Sequence, residues 1–172
     1  MSTFVTPPPW PRYRRKRTVT IAFIIDTSGS IHETFLGMFV DAINDCMRVI
    51  EPAEVWLIQC DQEVTDVKHY VWPHVTALKA PSGLPEFKGE RLTAFTPPFR
   101  YMVRNRIRVK NIIYMTDLYP TAESREDLDR EIPVLFRRIG ARKLLWLVPE
   151  DVKGTDYWKP PVGKIIWITP LL

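Results

Sequence analysis

One carboxylate and two hydroxyls recur at two-residue spacing in Asp26-Thr27-Ser28-Gly29-Ser30. A second carboxylate, Asp117, ends the apolar run Ile112-Ile113-Tyr114-Met115-Thr116-Asp117 much as Asp26 ends Ile21-Ala22-Phe23-Ile24-Ile25-Asp26. Two carboxylates brought to one place repel, and one has its pKa raised unless a cation sits between them. Hard oxygen donors, few of them charged, suit Mg2+ or Mn2+ with retained waters. Each residue also has a structural reading. Ser30 with Glu33 forms the S-x-x-E pattern of a helix capping box, Ser28 fits ordinary turn chemistry, and both Asp residues could accept backbone N–H groups in turns.

For these groups to meet, the strands that carry them must end on one edge of a sheet. Thr18 to Asp26 reads as a strand covered on both faces, being almost continuously apolar. Ile31 to Glu51 reads as a helix with the stripe Leu36, Val40, Ile43, Met47 and Ile50, stopped by Pro52. Ala53 to Cys60 is a second strand, and Val64 to Trp72 a third at the sheet edge. His74 to Leu92, with Pro81, Gly83, Pro85 and Gly89, reads as a long loop. Thr93 and Thr96 precede or open a helix that runs to about Arg104, with Pro97 and Pro98 in its first turn. Lys110 to Asp117 is the fourth strand. Glu126 to Ile139 is helical, with Pro133 predicting a break into two short helices and Gly140 a cap. Leu144 to Val148 and Ile165 to Ile168 complete six strands. Alternation of strands and helices is the α/β signature, and ligands of open α/β sheets bind at the strands' C-terminal edge.

The stretch D-T-S-G-S-I, between strand and helix, resembles the metal-ion-dependent adhesion site (MIDAS) of von Willebrand factor A (vWA) domains. The wider context is similar to the vWA-like half of bacterial proteins in which such a domain follows a metallopeptidase-like region. Leu92-Thr93-Ala94-Phe95-Thr96-Pro97-Pro98-Phe99 resembles the family's Gly-Thr-x-Phe-x-Pro-x-Phe signature and places the metal-binding threonine at Thr93, with Thr96 a competitor. Thr116-Asp117 resembles the second carboxylate motif, with Leu118 where glycine is usual. The resemblance implies a Rossmann-like vWA fold: a central, mostly parallel six-stranded sheet flanked by helices, with the third strand as antiparallel edge. It implies that Ser28, Ser30 and Thr93 bind Mg2+ or Mn2+ directly while Asp26 and Asp117 often act through water. A partner's Asp or Glu then fills an open position. The implied role is non-catalytic, cation-dependent protein–protein interaction, with a MoxR-type AAA+ ATPase or a separate peptidase-like protein as partner.

Other chemistries fit less well. His32-Glu33 begins an H-E-x-x-H zinc motif, but Leu36 stands where the second histidine is needed. Ser28 has no evident histidine partner for a hydrolase triad. A phosphatase with Asp26 at the end of its first strand would want an acid at position 28. The alternative reading is a Mg2+-dependent nuclease or phosphatase using Asp26, Asp61 and Asp117, but hydroxyls here replace the further carboxylates such sites use.

Charge is unevenly placed. Of 24 basic residues, Arg12, Arg14, Arg15, Lys16 and Arg17 lie in an acid-free, proline-rich stretch, leaving 19 against 20 acidic residues in the rest. Residues 1–17 therefore read as a basic arm and 18–172 as one vWA-like domain. A near-neutral domain points away from nucleic acid. Arg100, Arg104, Arg106, Arg108 and Lys110 form a second basic cluster, read as a solvated helix end or, less simply, a docking patch. Cys46 and Cys60 lie in apolar segments and read as free thiols. No apolar run reaches membrane-spanning length, so a cytoplasmic protein is expected.

Overall fold

The computed structural model describes residues 18–31, 33–71 and 92–169. The basic arm and nearly all of the long loop His74–Leu92 lie outside the described residues, as does the side chain of Glu33, on which the capping-box reading of Ser30 depends.

Six strands among the described residues form one sheet in the order β3-β2-β1-β4-β5-β6. They are β1 (Thr20–Asp26), β2 (Glu54–Cys60), β3 (Val64–Val71), β4 (Asn111–Met115), β5 (Lys143–Pro149) and β6 (Lys164–Ile168). All neighbours pair in parallel except β2 and β3, which are antiparallel. The sequence order turns outward in both directions from β1, so the gap between the ends of β1 and β4 is a topological switch point, where such sheets bind ligands. Register fixes what meets there. Asp26 lies opposite Cys60 of β2, and Ile25 opposite Met115 of β4. Thr116 and Asp117 thus leave β4 at the level where Asp26 ends β1.

Helix α1 (Glu33–Ile50) covers one face, and α2 (Thr96–Arg104) and α3 (Arg125–Ile139) pack together on the other. On the α1 face the core joins Ile21, Phe23, Ile25, Val55 and Leu57 to Leu36, Phe39, Ile43 and Met47. The helix is rotated slightly from its expected stripe. Phe39 is buried where Val40 is half-buried, and Ile50 is 44% exposed. The larger ring wins the core position because it removes more apolar surface from water. On the α2/α3 face Phe95, Phe99, Tyr114, Trp146 and Trp158 form an aromatic floor, with Tyr114 and Trp146 stacked at 4.9 Å.

Pro133 does not break α3, contrary to expectation; Arg125–Ile139 is one helix. A mid-helix proline costs about 3 kcal/mol. Against this, Leu128, Ile132, Leu135 and Ile139 bury one face, each contributing roughly 1.5–3 kcal/mol. Both ends are fixed as well: the Ser124 hydroxyl accepts from the Asp127 amide, and Gly140 ends the helix at φ 79°. No helix among the described residues is long and apolar enough to cross a membrane.

Candidate metal centre

Four of the five expected ligands form one connected group at the switch point. The amide of Ser28 donates to Asp26 Oδ1 at 2.9 Å. Ser28 and Ser30 share a hydrogen bond between hydroxyls at 3.2 Å. The Ser30 hydroxyl donates in turn to Asp117. Asp117 Oδ1 also accepts from the Tyr119 amide at 3.1 Å. Both carboxylates thus do make the turn hydrogen bonds of the structural reading, yet each retains acceptor capacity beyond those bonds.

Thr93 reaches the same edge from another segment. Its amide donates to Thr121 Oγ1 at 2.7 Å, and its carbonyl accepts from the amides of Thr121 and Ala122. The next amide, of Ala94, donates to the carbonyl of Asp61 just past β2. The Thr93 loop is therefore tied to the residue that follows β2 and to the segment that leads from β4 to α3. Thr93 is buried, and among the described residues its hydroxyl makes no hydrogen bond. Thr96 differs. Its hydroxyl and amide both donate to Glu123, so its side chain is already engaged.

Thr116 and Glu123 belong to this region and were not among the expected residues. Thr116 Oγ1 donates to Asp26 Oδ2 at 2.7 Å and accepts from the Leu118 amide. A signal for it was present: it directly precedes the second carboxylate. Glu123 accepts from the Phe95 amide at 2.5 Å and from Thr96, and nothing in its own neighbourhood announces this.

The electrostatics are those of an anionic pocket. Asp26 and Asp117 are 1% and 5% exposed. Burial pushes Asp26 up to about 6; the charge of Asp117 adds to this, while hydrogen bonds from Ser28 and Thr116 oppose it. Burial likewise raises Asp117, against hydrogen bonds from Ser30 and Tyr119. Among the described residues no Lys, Arg or His forms a salt bridge with either. Beneath them Cys60 Sγ lies 3.3 Å from Tyr114 Oη. Burial pushes thiol and phenol well up, so both are neutral near pH 7 and Cys60 is no thiolate nucleophile.

Two buried, mutually repelling carboxylates joined through the hydroxyls of Ser28 and Ser30, with no salt bridge to a cationic side chain among the described residues, fit a hard divalent ion. Among the described residues no three His, Cys, Asp or Glu side chains gather into a metal-binding group. A donor set built from the described residues at this edge would therefore draw on hydroxyls as well as the two carboxylates.

A protein-family model described as VWA-like domain (DUF2201) matches residues 21–169. No curated protein sequence matches the chain. Among solved structures, the conserved hypothetical protein BatB from Bacteroides thetaiotaomicron is similar at 15% identity and TM-score 0.64, over 90% of this chain and 92% of that one. An aerotolerance-related membrane protein from Bacteroides fragilis NCTC 9343, solved with multiple mutations to serines, is similar at 13% identity and TM-score 0.57, over 88% and 92%. At such identities the likeness is one of fold. With strand order, strand direction and the matched span in agreement, this chain belongs to the VWA-like domain family.

Proposed function

We propose that this domain is a non-catalytic interaction module that binds a protein partner through Mg2+ or Mn2+ at a MIDAS-type site. Ser28, Ser30 and Thr93 would hold the ion through their hydroxyls, and Asp26 and Asp117 would balance its charge. The observation that carries the reading is the pair of buried carboxylates, linked through Ser28 and Ser30, that no cationic side chain among the described residues neutralises. When bound, the ion offsets that repulsion and offers a coordination position to a carboxylate. With neutral hydroxyls as its direct protein ligands, the ion would stay electrophilic enough to take a further carboxylate, which suits an Asp or Glu of the partner. The chain's own residues have simpler tasks. Thr116 and the Ser28 amide orient Asp26, Tyr119 orients Asp117, and the Thr121 and Asp61 anchors fix the Thr93 loop at this edge of the sheet.

Candidate partners are a MoxR-type AAA+ ATPase and a separate peptidase-like protein, both suggested by the kinship of vWA-like domains. The test is a pull-down of each in Mg2+ and in EDTA, with wild type and Asp26→Ala. Capture that needs the ion and is lost in Asp26→Ala is expected. Capture that survives both treatments overturns the reading. Turnover of DNA, RNA or a generic phosphate ester, abolished by Asp26→Ala, would establish an enzyme instead.

A further inference from the structure

The opposite edge of the sheet, where β4 and β5 begin, carries an unbalanced positive charge. Segment 104–110 contributes Arg104, Arg106, Arg108 and Lys110, and segment 137–143 contributes Arg137, Arg138, Arg142 and Lys143. All eight are exposed, and neither segment contains an acid. The fold brings the two together. Arg108 Nη1 donates to the carbonyl of Arg138, the amides of Arg142 and Lys143 donate to the carbonyl of Lys110, and Asn111 pairs with Lys143. Among the described residues none of the eight forms a salt bridge. Glu51 and Glu54 flank the start of β2, on the other side of β1 from β4, and Glu54 is engaged by Trp56 and His69.

The plainest role for such cations is to offset the negative ends of α2 and α3, which finish here. Each helix end presents roughly half an elementary negative charge, so eight cations exceed the need several-fold. Backbone conformation points the same way. α3 ends on Gly140 at φ 79°, the residue that adopts this geometry without strain, whereas α2 places Arg106 in the equivalent left-handed position at φ 55°. Stability alone would favour glycine at both.

We infer that this edge is a docking surface for an acidic segment of a protein partner, separate from the proposed metal centre at the other end of the strands. Six of the eight cations are arginines, whose planar forks take carboxylates two oxygens at a time. A nucleic acid is a poorer match. Neither segment carries an aromatic side chain on which bases could stack.

The test is fluorescence anisotropy of a labelled oligo-glutamate peptide with the full chain in EDTA, which removes any contribution of a metal centre and so separates this inference from the preceding one. Binding is expected at about 50 mM NaCl, weakening toward about 200 mM as screening shortens. The double change Arg137→Glu with Arg142→Glu should lower affinity roughly tenfold or more. Arg106→Gly should lower it roughly threefold while the melting temperature stays level or rises, which excludes misfolding as the cause. Absence of binding at low salt, binding indifferent to the charge reversal, or tighter binding of a mixed-sequence DNA duplex than of the peptide at about 150 mM NaCl would each overturn the inference.

Discussion

Leu118, directly after Asp117, adopts a left-handed backbone that glycine takes freely, at φ 61°. Its side chain is fully buried in the α2/α3 core, and its carbonyl accepts from the Trp158 amide at 3.0 Å. The conformation costs about 1–2 kcal/mol, and truncating a buried leucine costs about 2–5 kcal/mol. The core contact therefore outweighs the strain. We expect Leu118→Gly and Leu118→Ala both to lower stability in urea denaturation, with the glycine variant the more stable of the two by about 1 kcal/mol. The order is the reverse of what helix or strand interiors give, and an alanine variant at least as stable would remove the strain argument. Asp26 gives a second test. The folded molecule holds its proton more tightly than the unfolded chain, with a pKa of about 6 against 3.8. The resulting stabilisation is complete below the lower value and is lost as pH rises through the upper one, a difference on the order of 3 kcal/mol. In EDTA, wild type should therefore lose stability between pH 4 and 6 on this account, roughly the window set by those two values. Asp26→Asn should flatten that slope, melt higher than wild type at pH 7 without metal, and show no gain on adding Mg2+.

Helix α2 shows how a distant residue can finish an element. Its N-cap, Phe95, has no side chain able to cap, and Pro97 and Pro98 fill the first turn. The free amides of Phe95 and Thr96 instead donate to Glu123, which sits just before α3. The carboxylate also faces the positive end of the helix. Glu123→Ala should cost about 1–2 kcal/mol, and should weaken Mg2+ binding because Thr93 sits two residues before Phe95. Glu123→Gln, keeping one acceptor, should restore most of the stability; calorimetric titration with Mg2+ and thermal melts on both variants would check this. Stability lost with Mg2+ affinity untouched would show the clamp to be structural only. This arrangement also marks the limit of reading the sequence. The D-x-S-x-S spacing is local, so Asp26, Ser28 and Ser30 were legible together, and the buried runs located all six strands to within a few residues. Glu123 was not legible, because an acid before a helix usually serves that helix's own N-terminus. Pro133 misled for the opposite reason: the local rule is sound, but tertiary burial of four apolar side chains overrides it.

At the scale of the molecule, charge and topology run along one axis. The parallel strands place Asp26, Asp61, Asp117 and Glu123 toward one edge and the arginine-rich turns at the other. Neither segregation is visible as net charge, which is near zero outside residues 1–17; strand order, which sequence alone left open, creates it. The five proposed ligands come from segments that leave β1, precede α2 and leave β4, so an ion held by them ties together parts of the chain far apart in sequence. Such binding stabilises the native state by about 2.7 kcal/mol at a hundredfold excess over Kd, and for a domain of this length each kcal/mol raises Tm by about 2–4 °C. We therefore expect saturating Mg2+ or Mn2+ to raise Tm by about 5–10 °C, with Ser28→Ala, Ser30→Ala and Thr93→Ala each shrinking the shift. Hydrogen exchange should slow together in 26–31, 92–96 and 116–123, while 104–110, at the far end of the sheet, should change only as much as global stability requires. If protection rose at 26–31 and 116–123 without 92–96, Thr93 would not be a ligand, and the centre would rest on β1 and β4 alone.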